Sequence, residues 1–311
     1  RYEYIYPNLS YIKNLEKYQN FGSLDFSLDA FQKNFNTNQY ESSLINDLLF
    51  KSNKNISSNG FVNGYTLLFR NINTDLKNST EYENTSNSKM LSTFIYETKY
   101  PLKKSKKNKS SFLTPLLSAR YSPNKTKNSK NDDRKISYNE IYSLDRIGDK
   151  NIVEEGISLT IGSEYTFNNE QNQEVFTLSI ANVLRNSKNH DIPIKTTLGN
   201  KRSDLIGYLK YKPNKTFNLE YDFSLDKNIK HSNFDLVRAN YTVNNFLTSF
   251  EYLEEDNIIG EKSYVKNTSK LDINNNSSMS IELSKNLDKN ITDYYNLIYE
   301  YKNDCLAAAI E

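Results

Sequence analysis

The stretch Ser137 to Phe167, SYNEIYSLDRIGDKNIVEEGISLTIGSEYTF, decides the fold. A polar turn leads into a segment in which apolar and polar residues alternate. The apolar set is Ile157, Leu159, Ile161, Tyr165 and Phe167, and the polar set is Ser158, Thr160, Gly162, Glu164 and Thr166. Successive side chains of a strand point to opposite faces. The pattern therefore predicts a strand with one face against an apolar medium and the other against water.

The composition bears on whether this apolar medium is membrane lipid or the core of a soluble protein. Hydrophobic residues make up 36% of the 311 residues and the mean hydropathy is −0.76, which is low for a large globular core. Aromatic residues reach 13%, which argues against a disordered chain. A membrane barrel with a wet lumen needs an apolar residue only at every second strand position. The composition fits such a barrel better than a soluble globule.

Alternation recurs along the whole chain. Residues 217–225 show it most clearly, because each of the five apolar residues is followed by a polar one. We count about sixteen strands of roughly nine to eleven residues, the length that a tilted membrane strand needs. Tight turns are predicted at Lys212–Lys215 and Asn244–Asn245, and long polar loops at Ser122–Arg134, Arg185–Arg202 and Glu254–Lys270. This alternation of turn lengths predicts an all-β fold, a large antiparallel transmembrane β-barrel.

A soluble β-sandwich or solenoid is the structural alternative, although its strands are usually nearer five or six residues. No run of eighteen apolar residues predicts a membrane-spanning helix. The chain starts at Arg1 without Met and stops inside an apolar run. We therefore interpret residues 1–311 as one barrel segment of a longer protein.

Residues for catalysis or metal binding are not grouped in the sequence. His190 and His231 are far apart, and with the lone Cys305 they form no metal-ligand spacing. The pairs Asp132-Asp133 and Glu154-Glu155 would point to opposite faces of an extended chain, so we interpret them as solvated loop charges. With nine glycines and no glycine-rich loop, a phosphate-binding loop is not predicted. We expect no catalytic residue, no metal and no cofactor.

One short stretch concentrates positive charge. It contains Lys103, Lys104, Lys106, Lys107 and Lys109. The stretch is a candidate anion-binding turn for lipid phosphates. The plainer interpretation is a hairpin tip kept soluble by its lysines. No interleaved aromatic residues are available to stack bases, so nucleic acid is not expected as a partner.

Four stretches carry a resemblance to a known family. They are Thr114–Pro123, Glu140–Gly156 with Asp145, Arg146, Ile147, Gly148 and Asp149 at its centre, Ser203–Gly207 with Ser203, Asp204 and Gly207, and Tyr301–Ala309 around Cys305. They resemble, in order, a proline-containing barrel strand, an Asp-Arg-Ile loop motif, a Ser-Asp-hydrophobic-x-Gly strand entry and a C-terminal cysteine segment. All four are features of the LPS-assembly protein family LptD, and the match extends over most of residues 112–311.

The resemblance implies a fold, a task and partners. Members of this family form an outer-membrane barrel that places lipopolysaccharide in the outer leaflet through its lumen and a lateral gate between the first and last strands. Outer-membrane lipid, a plug lipoprotein (LptE) and a periplasmic bridge protein (LptA) would be partners. Because this task makes or breaks no bond, the resemblance also implies that the chain is not an enzyme. Cys305 would form a disulfide with a cysteine outside this chain. The family's periplasmic domain and closing strands are not found in these 311 residues, and a second C-terminal cysteine, present in some members, is missing.

Two other functions fit the same patterns. A general porin or receptor barrel would share the strands and lack the lipid gate. A secreted all-β adhesin or carbohydrate-binding protein would dissolve without detergent and repeat its strands at a fixed period. We see no such period in the sequence.

Overall fold

The structure, a computed structural model, describes residues 3–18, 21–35, 38–79, 86–124, 134–148, 153–303 and 305–310. This part of the chain contains β-strands and one short 3-10 helix, Ile194–Thr196, and no α-helix. The strands are β1 Glu3–Tyr18, β2 Gly22–Phe35, β3 Gln39–Ser52, β4 Asn55–Ile56, β5 Val62–Lys77, β6 Ser86–Lys99, β7 Leu102–Lys106, β8 Lys109–Ser122, β9 Gly156–Asn168, β10 Glu174–Arg185, β11 Leu205–Tyr211, β12 Phe217–Leu225, β13 Ser232–Val243, β14 Phe246–Glu255, β15 Ser263–Asn274, β16 Ser277–Asn286, β17 Ile291–Lys302 and β18 Ala307–Ile310.

The chain divides into two units. Unit 1 comprises residues 1–101, 114–163 and 181–204, and unit 2 comprises residues 102–113, 164–180 and 205–311. In unit 1 the antiparallel order runs β1–β2–β3–β5–β6–β8. In unit 2 each strand from β11 to β18 pairs antiparallel with the next. This is the up-and-down connectivity that the alternating turns predict.

The structure has slightly more and often longer strands than the roughly sixteen strands of nine to eleven residues that the alternation predicts. The described residues form 18 strands, and β1 and β5 have 16 residues each. Apolar alternation marks only part of a strand, because a backbone ladder can continue through polar residues. The all-β fold predicted from the periodicity is confirmed for this part of the chain. Its one short 3-10 helix could not span a membrane.

The predicted turns were mostly correct. The tight connections between β11 and β12 and between β13 and β14 are present, and the long loop from β10 to β11 covers residues 186–204. The long loop predicted at Glu254–Lys270 was wrong, because β15 begins at Ser263 and leaves only residues 256–262 as a connection. Polar pairs across the sheet hold this strand: Asn267 donates to Thr248 Oγ1, and Thr248 and Ser269 share a hydrogen bond of 2.8 Å. Residues 125–133 of the loop after β8, which include Asp132 and Asp133, lie outside the described residues.

The two faces of the strands differ in the way that the sequence predicts. In β9, Ile157 and Ile161 are 52% and 46% exposed, whereas Ser158 and Thr160 are buried. In β5, Phe69 is exposed and its neighbour Arg70 is buried. Apolar side chains therefore point outward and polar ones are covered, the inverse of a soluble sandwich, whose apolar rows meet each other.

The covered face of unit 1 is not simply a polar, watery surface, as the alternation had suggested. Ile45, Ile72, Leu91 and Val153 form a buried apolar cluster on it. Val153 comes from the loop before β9, so this loop packs on the covered face and replaces water there. We call residues 134–148 and 153–155 the arginine loop, after Arg146.

An arginine at an outward apolar position should destabilise the protein in a bilayer. Ile281, in the middle of β16, is 48% exposed, and the adjacent Glu282 belongs to the polar row. We expect Ile281→Arg to cost about 2–4 kcal/mol of unfolding free energy in lipid, because a charge there meets hydrocarbon. Urea titration of the vesicle-inserted protein measures it, with Glu282→Arg as the matched control. Equal costs for the two variants would contradict the assigned faces.

Candidate functional site

Arg146 is the centre of the arginine loop and is 1% exposed. Its Nε donates to Glu154 Oε2 at 2.6 Å and its Nη2 to Glu154 Oε1 at 2.5 Å, which is a two-pronged guanidinium–carboxylate pair. The remaining N–H groups donate to Ile141 O, Thr160 Oγ1 and Ser158 Oγ at 2.8–3.1 Å. All five guanidinium N–H donors thus have an acceptor, which is what a buried arginine requires. Because the two hydroxyls belong to β9, the side chain ties the loop to the sheet.

Two further arginines converge on Glu154. Arg185, at the end of β10, donates from Nη1 to Glu154 Oε1 at 2.5 Å and from Nη2 to the carbonyl of Glu155. Arg120, from β8, places its Nε 3.8 Å from Glu154 Oε2 and donates to the carbonyls of Ser143 and Leu144. Burial alone would raise the pKa of Glu154, but the three guanidiniums outweigh it and lower this pKa to about 2. The carboxylate stays charged and fixes the loop between β8, β9 and β10.

Asp145 makes a second attachment, on β5. Arg70, 1% exposed, donates from Nε and Nη2 to Asp47 of the neighbouring β3 at 2.7 and 2.6 Å. Its Nη1 and Nη2 also donate to the two carboxylate oxygens of Asp145 at 3.1 and 3.2 Å. Asp145 therefore binds a cation on β5, while Arg146 donates to two hydroxyls of β9 and binds a carboxylate of its own loop. A one-residue shift of the loop would break both attachments.

Apolar contacts and a tight turn complete the loop. Ile141 and Ile147 are 0% and 4% exposed, so they are buried as core residues are. The N–H of Gly148 donates to the carbonyl of Asp145 at 2.8 Å, and Gly148 has a φ of 80°. A Cβ there would stand 2.5 Å from the guanidinium of Arg134, a flexible side-chain end that can move aside, so it is the left-handed conformation that requires glycine.

The loop from β10 to β11 is tied down by Ser203 and Asp204, which are 0% and 6% exposed. Ser203 continues the ladder of β10, since its N–H donates to Val183 O and its Oγ accepts from Val183 N–H, both at 2.9 Å. Asn182 donates to the carbonyls of Ser203 and Asp204. This pairing explains why a Ser-Asp pair precedes β11.

The other predicted site residues lie elsewhere. Gly207 faces Phe223 on the next strand, and a Cβ at Gly207 would stand 2.0 Å from the phenyl ring, so the ring covers the glycine. Lys103, Lys104, Lys106, Lys107 and Lys109 form or flank the β7–β8 hairpin tip of unit 2. Cys305 is exposed in the turn before β18, with a free thiol. Asp149 lies outside the described residues.

The interpretation of Glu154 as a solvated charge was wrong. Glu154 is 2% exposed and binds three arginines that sequence reasoning did not connect to it. One signal was available. Lysine and arginine together number 40, of which only eight are arginine, and Arg70, Arg120 and Arg185 each stand within a strand pattern on its polar row. Arginine is the cation that suits buried, two-pronged pairs.

A comparison with protein families matches residues 4–287 to the family described as LptD, LPS transport system D. The chain belongs to the LptD family. No individual curated protein matches it. The family carries out lipopolysaccharide transport and assembly in the outer membrane, and its outer-membrane barrel agrees with the outward apolar rows described above. The Asp145-Arg146-Ile147-Gly148 motif of this LptD-family chain is thus the part of the arginine loop that attaches it to the sheet.

Within the described residues, no group of three or more His, Cys, Asp or Glu side chains is placed to hold a metal ion. The charges of the arginine loop are paired within the loop or with arginines of the strands, and each has a structural task. The arrangement is therefore one that positions a loop on the covered face of unit 1.

Removing Arg146 should release the arginine loop. We expect Arg146→Ala to weaken its attachment by about 3–5 kcal/mol, because buried acceptors and part of a buried ion pair lose their partner. A spin label at the exposed position 139 (Asn139→Cys in a Cys305→Ser background) reports the loop's mobility by electron paramagnetic resonance. The label should become mobile in Arg146→Ala and stay immobile in Arg202→Ala, since Arg202 is exposed. An unchanged spectrum in Arg146→Ala would refute the attachment.

The attachment of the arginine loop to the sheet should also weaken at acid pH. The pKa of Glu154 is about 2 in the folded chain, against 4.5 for a free glutamate, so its contribution is complete above pH 4.5 and is lost as the pH falls towards 2. This difference corresponds to about 3 kcal/mol. The same label should stay immobile from about pH 8 to 5 and become mobile as the pH falls below 4.5. Glu154→Gln should abolish this transition; a transition of the same size in that variant would assign it to other groups.

Proposed function

We propose that this chain forms part of the wall of an outer-membrane conduit for lipopolysaccharide and that it makes or breaks no bond. The observation that carries the proposal is the pairing of outward apolar rows with a covered polar face that is filled by the family-motif loop. Such a wall keeps acyl chains in hydrocarbon while sugars remain on the polar side. We place the protein in the bacterial outer membrane on the same grounds.

The lengths of the connections support an orientation. In unit 2 the connections alternate, with two to five residues at 212–216, 244–245 and 275–276 and four to seven at 226–231, 256–262 and 287–290. In unit 1 the two longest connections, residues 123–155 and 186–204, follow β8 and β10, which run in the same direction. Outer-membrane barrels keep short turns in the periplasm and long loops outside. The arginine loop would therefore enter the covered face from outside.

We further propose lateral exit of lipopolysaccharide beside β1. Every side chain described in β1 is exposed on both faces, including Tyr6 at 83% and Ile12 at 75%. An exit for lipopolysaccharide requires a strand with faces that are free to meet lipid on one side and saccharide on the other.

The polar face of unit 2 offers a surface for the plug lipoprotein LptE. Arg238 bonds to Asp222 and Glu251 at 3.4 and 3.1 Å, and these three side chains are 22–41% exposed. A half-exposed charged network of this kind suits a polar protein surface in the lumen. The bridge protein LptA would deliver lipopolysaccharide from the periplasm, and its contacts lie outside this chain in our proposal.

Cys305 is proposed to tether the barrel to the periplasmic part of the full-length protein. The thiol is exposed, and Asn303 shapes its turn by accepting from the N–H groups of Cys305 and Leu306 at 3.0 and 2.8 Å. The full-length protein should migrate differently on gels before and after reduction, and Cys305→Ser should remove the difference. An unaltered shift in Cys305→Ser would show that other cysteines form the bond.

The transport task itself is tested in cells that depend on the full-length protein. Depletion of the protein should lower the amount of lipopolysaccharide at the cell surface. This amount is measured by how much lipopolysaccharide on intact cells reacts with an externally added antibody or lipid-modifying enzyme. Restoring the wild-type gene should restore it. If the protein were a general porin, its depletion would leave surface lipopolysaccharide unchanged and would reduce the passage of small solutes.

A further inference from the structure

The β7–β8 hairpin of unit 2 changes from apolar to cationic along one face. Its register pairs Leu102 with Leu113, Lys104 with Ser111 and Lys106 with Lys109, which places these six side chains on the same face. Lys103 lies on the other face, where its Nζ stands 5.5 Å from the centre of the Phe112 ring. On the first face, the lysines therefore lie closer to the hairpin tip than Leu102 and Leu113, which are 43% and 42% exposed.

A cavity of about 320 Å³ opens beside these lysines. Lys104, Lys106, Lys107 and Lys109 line it together with Tyr165 and Phe167, which belong to the outward apolar row of β9. Glu170 is the only carboxylate among its lining residues, and it stands 3.6 Å from the Lys109 Nζ. Both partners of that pair are at least half exposed, so it neutralises little of the cavity's charge.

We propose that this cavity binds the phosphate of an anionic glycerophospholipid. The phosphate would lie among Lys104, Lys106 and Lys109, and an acyl chain would extend along Leu102, Leu113 and Tyr165. Lysines act as point charges for phosphates, and tyrosine suits the boundary between hydrocarbon and headgroups. This arrangement does not fit nucleic acid, because the aromatic rings continue an apolar row rather than alternate with the cations.

The position of the hairpin favours a glycerophospholipid over lipopolysaccharide as the ligand of this cavity. The ion pair Lys109–Glu170 joins the hairpin tip to the turn 169–173, and Lys210–Glu174 joins the strand after this turn to the end of β11. The tip therefore lies at the short-turn end of unit 2. Short turns face the periplasm in outer-membrane barrels. Headgroups at that end belong to the inner leaflet, whereas the lipopolysaccharide placed by this family enters the outer one. The inference thus rests on the proposed membrane orientation.

Native mass spectrometry of the purified full-length protein tests the site by counting bound lipid. The probes are phosphatidylglycerol, phosphatidylcholine, lipopolysaccharide and inorganic phosphate. The test variant carries Lys104→Gln, Lys106→Gln and Lys109→Gln. The control carries Lys227→Gln, Lys230→Gln and Lys289→Gln, three exposed lysines in connections at the other end of unit 2. Circular dichroism must show unchanged strand content in both.

Wild type and control should retain phosphatidylglycerol in preference to phosphatidylcholine. The test variant should bind phosphatidylglycerol more weakly by on the order of a hundredfold, since each lysine near a lipid surface contributes about fivefold. Equal retention by both variants would overturn the site. Displacement by equimolar inorganic phosphate or by lipopolysaccharide would overturn the assignment to a glycerophospholipid. Failure of the protein to insert into any bilayer would instead refute the proposed function itself.

Discussion

The carboxylate of Glu154, held among the guanidiniums of Arg146, Arg185 and Arg120, is the interaction on which unit 1 depends. A sheet that turns its apolar row outward must satisfy a polar row on its other face. Water can do this in a wide lumen, but here a loop excludes it. Every buried donor and charge on that face then needs a partner within the protein, because an unpaired buried charge costs several kcal/mol.

The geometry of this cluster explains why the motif joins an acidic and a basic residue. Asp145 binds Arg70 of β5, and Arg146 binds Glu154 next to β9. Asp145 thus attaches the loop to β5, and Arg146 attaches it to β9 through the hydroxyls of Ser158 and Thr160, which fixes the loop in translation and in rotation. Hydrophobic burial of Ile141 and Ile147 stabilises the loop without selecting a register, since apolar contacts are not directional. The ion pairs supply the register.

The strands and the direction in which their side chains point could be predicted from the sequence, because a period of two is a local property of the chain. The resemblance also located Asp145 and Arg146. It did not locate their partners, since Arg70 is 75 positions from Asp145 and no local pattern relates them. Glu154 was misread for the same reason, as an acidic residue next to another resembles a solvated pair. β15 was missed because polar cross-strand bonds such as Asn267 to Thr248 replace the apolar alternation there.

Arginine and lysine have different electrostatic roles in this chain, because an ammonium group holds water more strongly than a guanidinium group does. Four of its eight arginines are buried in the cluster around Glu154 and Asp145, where a planar guanidinium can satisfy several acceptors at once. The lysines of the β7–β8 hairpin are exposed, and an ammonium group keeps its water there while its field reaches an approaching anion. Exchanging the two residue types would leave the net charge at +2 and damage both sites. A lysine at position 146 would leave acceptors unmet, because three N–H donors cannot replace five. The function of each site follows from which cation occupies it.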